Sequence, residues 1–115
     1  MARSPQEIFK HHAEALIAGD LDEIVADYTD DAVLITPSGA VHGKDGVRQA
    51  FVELLGVIPD AKWDVPTQIF DGDVLFIEWT ADTASTRVRD GIDTFVFTDD
   101  GIRAQTVRFT PEPVG

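Results

Sequence analysis

Apolar positions recur at helical spacing through much of the first half of the chain and alternate with polar ones, strand fashion, through most of the second. Ile8, Phe9, His12, Ala13, Leu16 and Ile17 share one face of a helix predicted over Pro5 to Ala18. The capping box Ser4-Pro5-Gln6-Glu7 opens it and Gly19 stops it. Asp20-Leu21-Asp22-Glu23 caps a second, short helix ending near Tyr28, set against the first in a hairpin or sharp corner. Ala32 to Thr36 reads as a strand closed by Pro37-Ser38-Gly39, and Ala40 to His42 as a shorter one. Gly43 then precedes a third helix with the stripe Val47, Ala50, Phe51, Leu54 and Leu55, ended by Gly56 and Pro59. Four strands follow, over Lys62 to Phe70, Val74 to Ala84, Arg87 to Phe97 and Ile102 to Thr110. Between them lie Asp71-Gly72-Asp73, a polar Thr83 to Thr86 stretch and Asp99-Asp100-Gly101. Pro111 to Gly115 reads as a loose tail. Helices followed by a run of antiparallel strands make an α+β fold, and residues 1–115, with no repeat or linker, form one domain.

The later strands are apolar on both faces. One parity groups Phe76, Glu78 and Thr80 with Asp93, Phe95 and Phe97 and with Gln105, Val107 and Phe109; the other groups Leu75, Ile77 and Trp79 with Ile92, Thr94 and Val96. Three helices cover only one face of such a sheet. The second parity is therefore expected outside, and the patch carrying Ile77, Trp79, Thr94 and Val96 points to a homodimer. The alternative is a strand that curls over and covers that face within the chain.

Composition narrows the partners. Nine Lys and Arg against 21 Asp and Glu give a net charge of −12, a field that repels nucleic-acid backbones and anionic lipid. The acids are scattered through helix starts and turns, which also fits plain solubility. The absence of cysteine excludes disulfides, thiolate metal sites and cysteine nucleophiles. No glycine-rich dinucleotide fingerprint or P-loop is present, so no cofactor is expected. Met1-Ala2-Arg3-Ser4-Pro5 runs straight into the first helix without an apolar leader, and no segment approaches membrane-spanning length. A cytoplasmic protein that binds neither nucleic acid nor membrane is the expectation.

Candidate chemistry centres on Asp93, whose strand face it shares with Phe95 and Phe97. A desolvated carboxylate either raises its pKa or takes a partner, which is common in binding pockets. The alternative is that it only organises a structural hydrogen-bond network. His12 points inward with Phe9, Ala13 and Leu16, while His11 lies off that stripe and His42 faces solvent. Within reach of Asp93, His12 would complete an acid/base dyad; otherwise it is a core histidine. Glu78, in phase with Phe76, is a second acid facing the cavity or an ion pair with Arg87 or Arg89. A metal would need Glu78 and Asp93 beside the single inward histidine, and none is expected. Trp63, Val65, Val107 and Phe109 read as pocket wall or core, and the amide of Gln105 requires a partner in Asp93, a water or a ligand.

Three stretches carry a family resemblance: Ala18-Gly19-Asp20-Leu21-Asp22 through Ala32-Val33; Gly43-Lys44-Asp45-Gly46-Val47; and Ile92-Asp93-Thr94-Phe95-Val96-Phe97 followed by Asp100-Gly101-Ile102. Together they resemble the nuclear transport factor 2-like (NTF2-like) superfamily, in particular its SnoaL-like branch and the ketosteroid isomerases. The resemblance implies a cone in which three N-terminal helices pack on a strongly curved mixed or antiparallel sheet, with an apolar pocket inside and dimerisation through the convex face. By position, Asp93 matches the isomerase acid that stays protonated and donates to an oxyanion. His12 stands where those enzymes place an oxyanion-hole tyrosine, and Tyr28 matches a supporting tyrosine. The general-base aspartate aligns with Thr36, whose hydroxyl does not accept a proton near neutral pH, so the usual isomerase mechanism is not available. The branch similar to limonene epoxide hydrolase needs an arginine at the position held by Gly91. Arg89 keeps the parity of that position but lies about 13 Å along the strand from Asp93.

Two function classes follow. In the first, Asp93, His12 and Glu78 act as catalytic groups of a cofactor-independent isomerase, cyclase or hydratase. Tyr28, Thr36, Trp63, Phe76, Phe95, Gln105, Val107 and Phe109 then line a pocket for a small apolar molecule bearing a carbonyl or hydroxyl group. In the second, the same cone is a non-catalytic ligand-binding or dimerisation module.

Overall fold

The computed structural model describes residues 3–114. Ser4 caps α1 (Pro5–Ala18): its hydroxyl accepts the Glu7 N–H, the Glu7 carboxylate returns the bond to the Ser4 N–H, and Gly19 closes the helix in the left-handed region. Asp20 caps α2 (Leu21–Ala26). Two strands, β1 (Tyr28–Thr36) and β2 (Gly39–His42), lead into α3 (Gly43–Val57). The remainder is β3 (Lys62–Asp71), β4 (Val74–Asp82), β5 (Thr86–Thr98), β6 (Gly101–Arg108) and β7 (Pro111–Pro113). Within the expected loose tail, Pro111–Pro113 is instead a strand, because β7 pairs antiparallel with the start of β5 through Val88↔Pro111 and Thr86↔Pro113, while Gly115 lies outside the described residues.

The sheet runs β2-β1-β6-β5-β4-β3, with only β1 and β6 parallel. Its concave face receives the helices. Ile8, Phe9 and Ala15 of α1, Val47 and Phe51 of α3, and Leu34, Leu75, Ile77, Trp79, Phe95 and Phe97 of the sheet form one buried cluster. The architecture is α+β, three helices on a curved mixed sheet that stays open.

Cross-strand register corrects the expected faces. Ile77 pairs with Asp93 and Trp79 with Gly91, so Leu75, Ile77, Trp79 and Ala81 point inward. Phe76 pairs with Thr94 and Glu78 with Ile92 on the outer face. Ile77 and Trp79 thus leave the expected dimer patch, and Phe76 and Glu78 leave the expected pocket. A shift of one residue in pairing inverts every side chain of a strand, and parity within each strand does not set that phase. One signal was present: the inward parity of β4 is wholly apolar, whereas the outward one carries Glu78, Thr80 and Asp82. A bulge adds a second break. Between Trp79↔Gly91 and Ala81↔Val88, Arg89 and Asp90 oppose the single residue Thr80. Val88 and Gly91 are both buried as a result, and Arg89 is exposed instead of sharing the face of Asp93.

Asp27, just after α2, fixes the helical end of the sheet. Its carboxylate is fully buried and accepts from Arg3 Nη1 at 2.8 Å, with His11 Nδ1 at 2.6 Å from the other oxygen. The Asp27 carbonyl accepts the Ile102 N–H at 2.8 Å, and Gly101 passes it so closely that a Cβ there would stand 2.3 Å from that oxygen. With φ at +139°, Gly101 also holds a backbone conformation that side chains disfavour. Gly101→Ala is therefore expected to cost about 2–4 kcal/mol, read from the shift of the urea unfolding midpoint; an unchanged midpoint would contradict the close approach.

Candidate functional site

Between the helices and the concave face lies a cavity of about 600 Å³. α1 contributes Phe9, His12, Ala13 and Leu16; α3 contributes Ala50, Phe51 and Leu54; the sheet contributes Leu34, Trp63, Ile77, Trp79, Phe95 and Val107, and Phe109 follows just after β6. Ile17, expected on the inner stripe of α1, is 68% exposed and reaches only the cavity's rim. The wall is thus apolar with a few polar groups: His12, Thr36, Asp93 and Gln105 among them.

Asp93 is 7% exposed. Trp79 Nε1 donates to Oδ1 at 2.8 Å and Gln105 Nε2 donates to Oδ2 at 2.8 Å. Gln105 is in turn fixed by the Tyr28 hydroxyl, which donates to its Oε1. Burial pushes the Asp93 carboxyl up to about 6, with the two N–H donors pulling the other way. Burial, followed by the nearby Asp93 and Asp27 carboxylates, raises the Tyr28 phenol. The bonding at Asp93 is that of an acceptor, and a carboxyl titrating near 6 is mostly ionised at neutral pH.

His12 is brought into the same cavity but not into a dyad. No hydrogen bond joins it to Asp93, whose oxygens accept from Trp79 and Gln105, and among the described residues His12 Nδ1 is buried without a hydrogen-bond partner. The imidazole lies edge-on to Tyr28, Phe51 and Phe95 at centroid distances of 5.8, 5.8 and 5.6 Å. Burial lowers its pKa to about 4, with Asp27 opposing the shift, so it is neutral at physiological pH.

The other expected site residues divide clearly. Thr36, Trp63, Phe95, Gln105, Val107 and Phe109 line the cavity, and Tyr28 stands behind Gln105, bonded to it. Glu78 is exposed on the outer face and accepts from Thr67 Oγ1 at 2.8 Å, so it is neither a second cavity acid nor an ion-pair partner of Arg87 or Arg89. Phe76 is half-buried on that same outer face. His42 is exposed, and His11, off the inner stripe, is engaged by Asp27.

Trp79 is the residue that parity misassigned and the site most needs. Its indole lies flat against the backbone of Gly91: a Cβ at that position would stand 2.2 Å from Cδ2 and Cε2. No arginine fits there while Trp79 holds Asp93, which removes the arrangement similar to limonene epoxide hydrolase. Trp63 and Phe109 flank the same ring at 5.3 and 5.4 Å.

A family model described as the SnoaL-like domain matches residues 9–105. The chain belongs to the SnoaL-like domain family. Solved structures of similar fold include a SnoaL-like protein of unknown function from Burkholderia thailandensis E264, 22% identical, with a TM-score of 0.74 over 92% of this chain and 94% of that one. An NTF2-like protein of unknown function from Burkholderia xenovorans LB400 is 19% identical, with a TM-score of 0.77 over 96% of this chain and 85% of its own. A ketosteroid isomerase-like protein from Kribbella flavida DSM 17836 is 14% identical, with a TM-score of 0.78 over 95% and 79%. At these identities the likeness is one of fold. A search of curated proteins finds no match. Among the described residues of this SnoaL-like domain, no helix is long and apolar enough to cross a membrane.

The two displaced titrations oppose each other. Between about pH 6.5 and 4 the unfolded chain binds a proton at His12 that the native state refuses, so stability falls as the solution is acidified. Between about pH 6 and 3.8 the native state binds a proton at Asp93 that the unfolded chain does not, so stability rises on acidification. At 1.36 kcal/mol per pKa unit each effect is on the order of 3 kcal/mol, and they largely cancel. Asp93→Asn is expected to make stability fall more steeply with acid than in the native chain, and His12→Phe to make it fall less or rise. Urea unfolding across pH 4 to 7, marked in roughly half-unit steps, checks this; parallel profiles for all three chains would contradict it.

Proposed function

We propose that this SnoaL-like domain binds a small apolar molecule in its cavity and acts on it without a cofactor, with Asp93 as the proton-accepting group. The reaction class is an isomerisation, cyclisation or hydration of a carbonyl- or hydroxyl-bearing ligand. One observation carries the reading: a carboxylate buried in the wall of an apolar cavity and oriented by two N–H donors, with burial pushing its pKa up to about 6. A base with a pKa near the working pH combines an ionised population with useful proton affinity. Each Asp93 oxygen accepts one protein bond and retains a lone pair for a ligand hydrogen. His12 supplies a neutral imidazole ring to the same cavity lining.

The second reading, a non-catalytic binding module, is supported by Thr36. It lines the cavity at the place of the isomerase base and offers only a hydroxyl. A panel of apolar ketones and alcohols, followed for turnover and by NMR shifts of the Trp79 indole, separates the two. For the enzyme, Asp93→Asn should lower turnover about 100-fold or more while the variant still binds ligand. Undiminished turnover in Asp93→Asn sinks the base, and binding without turnover in the native chain favours the module.

We also propose self-association through the outer sheet face. Ile35, Ile69, Val74, Ile92 and Val96 lie there, each between 37% and 58% exposed, with Thr94 and Phe76 among them. Aliphatics gathered on one face of a sheet favour burial against a second copy. Light scattering at micromolar concentration is expected to give a dimer mass for the native chain and a monomer for Val96→Lys. A native monomer would overturn the proposal.

A further inference from the structure

Asp93 forms no ion pair among the described residues, and no lysine or arginine lines the cavity. Its two protein partners are neutral N–H groups. The other carboxylate reaching the cavity, Glu53 of α3, is an exposed acid, and the chain as a whole carries −12. Beside the carboxylate stands an aromatic wall, because the indole that donates to Asp93 is flanked by Trp63 and Phe109. A buried carboxylate without a cation, next to three aromatic rings in a negative field, is the chemistry that recognises an ammonium group. The carboxylate offers a charge-assisted hydrogen bond, and the adjoining aromatic rings offer an apolar wall for the body of the amine.

We infer that the cavity takes protonated apolar amines, ion-paired to Asp93 against the Trp63, Trp79 and Phe109 wall, in preference to neutral and anionic molecules of the same shape. The inference rests on the reading of the cavity as a ligand site. It adds the charge of the preferred ligand. An alcohol in the same seat donates one neutral hydrogen bond to Asp93. A carboxylate would bring a second negative charge into a cavity with no cation to meet either, so the order is amine, then alcohol, then acid. In the proton-transfer reading the ammonium N–H stands where the substrate's reactive hydrogen stands, and the amine competes with substrate. At about 600 Å³ the cavity has room for a bicyclic aromatic body with a one-carbon arm.

The test uses three probes of one shape, naphthylmethylamine, naphthylmethanol and naphthoate, titrated at neutral pH while the Trp79 indole N–H and backbone amides are followed by NMR. The amine is expected to bind about tenfold more tightly than the alcohol, the difference between a charged and a neutral hydrogen bond, and the naphthoate more weakly than either. In Asp93→Asn the alcohol should still bind and the preference for the amine should vanish. Equal binding of all three, or an amine preference that survives in Asp93→Asn, overturns the inference while leaving the cavity a ligand site. If none of the three binds the native chain, the ligand-site reading fails and the inference with it. A retained far-ultraviolet circular dichroism spectrum for Asp93→Asn establishes that a lost preference is not lost folding.

Discussion

The Asp93 carboxylate has exchanged water for two N–H groups, and much of the concave face is arranged to make that exchange hold. An ionised group in an apolar cavity persists only if donors replace water at its oxygens, and each bond to such a charge is worth about 1.5–3 kcal/mol. Trp79 and Gln105 are those donors. Each donor needs its own support. Trp79 reaches Asp93 because Gly91, its own partner in the β4–β5 ladder, has no side chain to hold the indole away. Gln105 presents its amide because Tyr28, from the first strand, holds the opposite oxygen. A small chain of contacts across β1, β6, β5 and β4 therefore orients one carboxylate.

Opposite it, His12 shows the other outcome of burial. Desolvation penalises whichever form is charged, so the same apolar cavity raises the acid and lowers the base. At neutral pH the result is a carboxylate and a neutral imidazole lining one cavity, with no ion pair between them. Retaining such groups in a cavity costs stability that a wholly apolar filling would not, which is the usual signature of a site kept for recognition or chemistry.

The curvature of the sheet assigns the remaining faces. Its concave side gathers the aromatic rings, and its convex side is left with Ile35, Ile69, Val74, Ile92 and Val96. The bulge at Arg89 and Asp90 brings both Val88 and Gly91 inside, turns Arg89 to solvent, and leaves Asp90 to accept from the backbone and hydroxyl of Thr110. Asp27 works at the opposite end, tying Arg3 and α1 to the start of β6.

The sequence by itself determined what depends on local chemistry. Ser4, Glu7, Asp20 and Gly19 define the ends of α1 and the start of α2, the apolar stripes set the inner faces of α1 and α3, and the phenylalanines beside Asp93 identify the strand face that is buried. Asp93, His12 and Gln105 were legible as inward polar residues for the same reason, since each sits in phase with apolar neighbours on its own element. Tertiary structure alone decided the relations between elements. Whether Trp79 or Glu78 faces Asp93 is a matter of strand register, and either parity of β4 offered a large apolar residue to the core. Whether Arg89 shares the face of Asp93 depends on one extra residue in a ladder. Whether His12 bonds Asp93 depends on how α1 seats over the sheet, and the buried role of Asp27 needed the fold that brings Arg3 and His11 to it. Periodicity within a strand fixes its two faces but not which of them meets the neighbour's, because that phase is set by pairing across the sheet and by curvature, which are properties of the assembled fold.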